Sequence, residues 1–148
     1  MHPFPHVYRV MAKTHTEGDV QLSSSQIADL QSAAPKEFGG PGDRWSPETL
    51  LTAAVADCLV LSFKAVATAS KFTWTALECE ASGTVERVDN HNLFTGFTIK
   101  ARLTVPADAD AARARKLLEK AEQVCLISNS LKAKTHLETE VINQAISD

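Results

Sequence analysis

The sequence predicts an α+β fold, with antiparallel sheets packed around one long buried central helix. Three observations lead there. Residues 46–70 run apolar and unbroken, and from Leu50 onward they contain no Gly or Pro and only two charges, Asp57 and Lys64. Residues 77–88 and 94–105 each alternate apolar and polar side chains, the period of a strand that is wet on one face. Residues 111–126 repeat apolar positions at helical spacing and precede a last alternating stretch, 135–142. Strands in hairpins combined with separate helices make an α+β arrangement.

Taken in order, residues 6–13 alternate roughly and read as a first strand, and Thr16-Glu17-Gly18-Asp19 reads as a turn. A second strand starts at 20–22, and 23–29 continue as a short third one. Residues 35–43, PKEFGGPGD, are too rich in Gly and Pro for a regular element. The central helix then opens with Ser46 as N-cap, Pro47 at the first helical position, and Glu48 facing the positive end of the dipole. A helix apolar on nearly every side belongs in a core. Its length also suits a bilayer, but Asp57 and Lys64 make a membrane span costly.

The strands at 77–88 and 94–105 form a long hairpin turning at Asn90-His91-Asn92 and stopped by Pro106. Asp108 or Asp110 caps the second helix, whose stripe is Ala114, Leu117, Leu118, Ala121 and Cys125. No repeat or linker interrupts the chain, so residues 1–148 are expected to form a single domain.

With 148 residues, 44% of them apolar and 22% charged, the chain can bury a core without staples. A net charge of −3 and the lack of a basic stripe argue against nucleic acid. The N-terminus MHPFPHVYRV does not read as a signal peptide. Three cysteines match neither a disulfide framework nor a CxxC zinc pattern, so the expectation is a cytoplasmic protein with reduced thiols. Cys79, between Glu78 and Glu80 on a strand, reads as packing. Cys58 and Cys125 both lie on helix faces expected to be buried, and two inward thiols on two core helices could come within disulfide reach. Pattern alone leaves packing and redox roles both open.

SPETLLTAAVADC resembles the NPEELxxAAxxxCF signature on the central helix of the OsmC/Ohr family of thiol-dependent hydroperoxide reductases. KAEQVCLISNSLKAKTHLETEV resembles that family's KAxxxCPxSNxL stretch and its following strand, and the element order fits from end to end. The resemblance implies an intertwined homodimer with active sites at the interface. It implies a Cys58 that attacks the peroxide, a Cys125 that resolves the sulfenic acid as a disulfide, and no bound cofactor. An external dithiol then restores the thiols, and a lipoyl group is one candidate. Glu48 matches the Glu of the family's PE motif. Positions 48 and 58 lie ten residues apart, about 15 Å along a helix, so Glu48 would act across the dimer.

Three departures stand out. The peroxidase branch carries an Arg in its first hairpin turn, where this chain has Thr16 to Asp19. Arg44 is the expected substitute to hold Cys58 as thiolate, with Arg9 second. Asp57 replaces a small residue and is expected to raise the Cys58 pKa unless it points away. Leu126 replaces the usual Pro. Bulky side chains near the thiol (Leu59, Leu61, Phe63, Ile127 and Phe38) favour an organic hydroperoxide over hydrogen peroxide. Two other readings compete: a non-catalytic dimer holding an apolar ligand in the same cleft, and, ranked last, a metal site of Cys58, Cys125 and His136 or His91.

Overall fold

The computed structural model describes residues 1–145. The chain forms two compact units, Met1–Leu50 and Leu51–Asp148. In the first, β1 (Met11–Lys13), β2 (Val20–Ser24) and β3 (Ile27–Ser32) form an antiparallel sheet in that order. The first strand is shorter than its pattern predicts, because residues 6–10 have no strand partner. The turn into β3 is made by Ser25 and Gln26, the latter at φ 64. The Gly/Pro loop is less broken than expected, since Lys36–Phe38 make one 3-10 turn closed by Gly39 N–H donating to Lys36 O.

Helix α1 (Pro47–Ala69) begins where the sequence places it. Ser46 and Thr49 cap it reciprocally: Thr49 N–H donates to Ser46 Oγ at 3.1 Å, and Ser46 N–H donates to Thr49 Oγ1 at 2.8 Å. Two of the orphan donors at the helix start are thereby satisfied.

In the second unit, β4 (Ala76–Val88) and β5 (His91–Pro106) form the long antiparallel hairpin. Its turn is two residues, Asp89 and Asn90, both at positive φ, a conformation Asp and Asn tolerate well. Helix α2 (Ala111–Gln123) follows, capped by Asp110, whose carboxylate accepts from Arg113 N–H at 3.1 Å. A single helical turn, α3 (Leu126–Asn129), leads to β6 (Lys134–Gln144).

Strand β6 adds to β5 in parallel, from Gly96 against Lys134 to Pro106 against Gln144. The expectation of purely antiparallel sheets is corrected here. The connection through α2 and α3 carries the chain back to the starting end of β5, which is what a parallel neighbour requires.

The core lies between this sheet and the two helices. Phe97, Ile99, Ala101, Leu103 and Val105, alternate residues of β5, are buried against Val55, Leu59, Phe63 and Ala67 of α1 and Ala114, Leu118 and Ala121 of α2. Phe63 meets Trp74 edge-on, with centroids 5.5 Å apart. Each such fully buried Leu or Phe contributes about 1.5–3 kcal/mol.

The central helix departs from expectation in one respect. Within the chain only its Val55-Leu59-Phe63-Ala67 stripe is buried, and Leu61 on the opposite side is 57% exposed. The helix is long and apolar enough to cross a bilayer by length and composition. That stripe is already occupied by the sheet and α2, and Asp57 and Lys64 stand exposed on the other side.

Candidate active site

The structure brings Cys58 and Cys125 together within the second unit. Cys58 sits midway along α1, half-buried, one turn before Ser62, whose hydroxyl lies 3.9 Å from its sulfur. Cys125 is fully buried. It is not on α2, as its place in the helical stripe suggests, but at the joint after it. Helix α2 ends at Gln123, and Cys125 turns extended (φ −66, ψ 108) to become the N-cap of α3. Asn129 holds this joint, its side-chain N–H donating to Gln123 O at 3.0 Å and its backbone N–H to Cys125 O at 3.0 Å.

The consequence is electrostatic. Burial alone would raise the pKa of Cys58, but hydrogen bonds to its sulfur outweigh that and leave it below the ordinary thiol value. They come from the Cys125 thiol, the Ile127 N–H, the Ser62 hydroxyl and the Leu126 N–H. Cys125 is moved the other way. Burial and its hydrogen bond to Cys58 raise its pKa, against weaker opposition from the hydroxyl and N–H of Ser128. The Ser128 hydroxyl donates to Cys125 Sγ at 3.4 Å. The two thiols are thus shifted in opposite directions.

An open hollow of about 470 Å³ reaches Cys58, lined also by Ala54, Asp57, Leu61, Ser62, Ala65 and Ile127. Leu61 and Ile127 thus stand where the sequence puts an apolar wall. Leu59 and Phe63 do not, because they are fully buried on the core stripe of α1. Phe38 belongs to the first unit.

Asp57 is exposed, and it is not among the groups that shift Cys58, so the expected upward pull is absent. Among the described residues of the second unit, no cation lowers the Cys58 pKa. The groups that lower it are peptide N–H donors, a thiol and a hydroxyl. Arg44, in the first unit, is paired through Nε with Asp19 at 2.8 Å and through Nη1 with Asp43 at 3.5 Å. Its hydrogen bond to Asp19 raises its pKa. Glu48 is half-buried in the first turn of α1, also in the first unit.

Cys79 faces the core with Leu77, and burial pushes its thiol up to about 11, the behaviour of a packing residue. Among the described residues no three His, Cys, Asp or Glu side chains converge as a metal site. Sequence reasoning missed the N–H groups of Leu126 and Ile127 and the hydroxyls of Ser62 and Ser128. Backbone donors leave no side-chain signature, although Ser128 and Asn129 lie inside the second matched motif.

Residues 40–140 match the family model described as OsmC-like protein. An uncharacterised protein of Acinetobacter baylyi is 32% identical over 140 residues, covering 94% of this chain and 96% of its own. The organic hydroperoxide resistance protein of Xanthomonas axonopodis pv. citri is 32% identical over 111 residues, 74% of this chain and 75% of its own. Among solved structures, an OsmC-like protein of unknown function from Vibrio cholerae superposes with a TM-score of 0.84 over 92% of this chain and all of that one. At 13% identity that likeness establishes the fold.

Proposed function

This chain belongs to the OsmC-like family, and from that premise we propose that it is a cysteine-based peroxidase reducing organic hydroperoxides to alcohols. The observation that carries the reading is the meeting of Cys58 on α1 with Cys125 at the joint between α2 and α3, hydrogen-bonded to each other beside the hollow lined by Leu61 and Ile127. The Cys58 thiolate attacks the terminal peroxide oxygen. The O–O bond breaks, an alkoxide leaves to be protonated as the alcohol, and the sulfur becomes a sulfenic acid. The Cys125 thiol attacks that sulfur, water leaves, and a Cys58–Cys125 disulfide forms. An external dithiol, of lipoyl type or otherwise, reduces it by exchange and is itself oxidised to a disulfide.

Leu61, apolar yet 57% exposed on the outer side of α1 within one chain, supports a homodimer in which a second copy covers it. Glu48, about 15 Å along the helix from its own Cys58, would then act on the partner's site, with Arg44 as a second helper. The apolar hollow favours an organic peroxide, so cumene hydroperoxide is expected to react faster than hydrogen peroxide. Three cysteines without a disulfide among the described residues suit a reducing compartment, and the reading sets the reaction in the cytoplasm.

The test is intact mass and thiol count on reduced protein, before and after one equivalent of cumene hydroperoxide. Loss of two thiols as one intrachain disulfide is expected, abolished in Cys58→Ser and replaced by higher sulfur oxides in Cys125→Ser. Three unchanged thiols would overturn the peroxidase reading and leave the apolar-ligand dimer.

A further inference from the structure

We propose that Ser128 is a further catalytic group that serves the resolving thiol: its hydroxyl steadies the Cys125 sulfur as that sulfur gives up its proton, so the step it governs is disulfide formation rather than peroxide attack. The inference rests on the peroxidase reading and assigns a residue to its second step. Ser128 lies in α3, and its hydroxyl donates to Cys125 Sγ at 3.4 Å. The joint between α2 and α3 holds the two groups together. Cys125 is the N-cap of α3, and Asn129 donates to Cys125 O and to Gln123 O, each at 3.0 Å. Cys125 is 0% exposed within one chain, which leaves no face of it for a second copy laid over α1 to touch.

Burial, the hydrogen bond to Cys58 and the negative charge of Cys58 all discourage ionisation of Cys125, while the hydroxyl and the N–H of Ser128 favour it. No Lys, Arg, His, Asp or Glu of the described residues is among the groups that act on it. Once Cys58 is a sulfenic acid, the thiolate charge beside Cys125 is gone. Burial then stands against the two donors of Ser128. In resolution the Cys125 sulfur gives an electron pair to the Cys58 sulfur and the S–O bond breaks. The departing hydroxide takes the Cys125 proton and leaves as water. Ser128 keeps its own proton, and its hydrogen bond strengthens as negative charge gathers on the sulfur. A hydrogen bond to a charged group is worth about 10- to 150-fold in an equilibrium. A more acidic thiol is also less nucleophilic, which gives back about half of that on a logarithmic scale and leaves a net gain in rate of about 3- to 10-fold at neutral pH.

Two routes compare full-length wild type, Ser128→Ala and Ser128→Thr. In the first, which needs no peroxidase activity, reduced protein reacts with one equivalent of the aromatic disulfide DTNB. Cys58 attacks and releases one coloured thiolate, and Cys125 then displaces the other from the Cys58 sulfur. The ratio of the two release rates within one protein cancels any general loss of reactivity. In the second, reduced protein meets excess cumene hydroperoxide, and intact mass reads how much Cys58 goes on to sulfinic acid before Cys125 closes the disulfide. In Ser128→Ala the second release is expected to slow by about 3- to 10-fold against the first at pH 7, with the deficit closing as the pH rises. Sulfinic acid should gain at the expense of disulfide. Ser128→Thr keeps the hydroxyl and should return both readouts toward wild type. An unchanged ratio in Ser128→Ala, a Ser128→Thr slower than Ser128→Ala, or a deficit equal at every pH, as a misplaced sulfur would give, would overturn the proposal. No reaction with peroxide in any of the three proteins, with release ratios as expected, would sink the peroxidase reading and leave Ser128 its part in activating Cys125.

Discussion

Cys125 donates its S–H to the sulfur of Cys58, and this contact adds to the three other groups that lower the Cys58 pKa and to the burial that raises that of Cys125. The donor helps its neighbour ionise and becomes harder to ionise itself. Attack and resolution need that division of labour. The nucleophile must be a thiolate when the peroxide arrives, and the resolving thiol must keep its proton until a sulfenic acid is there to receive it.

The rate of peroxide consumption should therefore follow the Cys58 thiolate. It rises with pH through an inflection below the ordinary thiol value and is flat above it. A stopped-flow pH profile under pseudo-first-order conditions measures this. An inflection at or above the value of a free cysteine would show that the hydrogen bonds do not act on the thiolate.

Leu126→Pro isolates one of those bonds. Residue 126 is the first position of α3, where Pro is tolerated, and Cys125 already has the extended geometry that precedes Pro. The substitution removes the Leu126 N–H without disturbing the turn. The inflection should move up, with a matching loss of rate near pH 7. An unmoved inflection in a folded variant assigns that donor no part.

Cys79 contributes to the alkaline limit of stability. Its folded pKa of about 11 lies above the reference value of 9.0, so the unfolded chain releases the proton first. The stabilisation is complete below pH 9 and is lost as the pH rises toward 11. Denaturant midpoints should fall across that window in wild type and fall less in Cys79→Val, which keeps an apolar, β-forming side chain on the core face.

Leu61→Arg probes the proposed dimer. At 57% exposure Leu61 holds little of the monomer core, and the substitution should cost the isolated chain no more than about 0.5 kcal/mol. A buried Arg without a partner at a dimer interface is costly, so the sedimenting mass should halve. An unchanged mass would place any interface elsewhere.

Ser46→Ala removes the reciprocal cap of α1 and should destabilise the protein by about 1 kcal/mol, within a 0.5–2 kcal/mol range, read from urea midpoints.

By itself the sequence determined whatever depends on near neighbours along the chain. Ser46, Pro47 and Glu48 set the start of α1, and alternation set β4 and β5. Asp110 capped α2, and two short motifs carried the resemblance and singled out Cys58 and Cys125. Pairing and packing depend on distant residues, and these only the tertiary structure decided. Strand β6 alternates whether its neighbour runs parallel or antiparallel, so its direction became visible only with the α2 crossover. Leu59 and Phe63 look as available as Leu61 in the sequence, yet the sheet claims them and leaves Leu61 outside. The sequence pointed to a cation, Arg44, as the activator of Cys58. Arg44 belongs to the first unit, and within the second unit the donors at the thiol are backbone N–H groups, a thiol and a hydroxyl. A peptide N–H belongs to almost every residue, so nothing in the letters Leu126 and Ile127 announces one aimed at a sulfur. Only the break between α2 and α3 places them there.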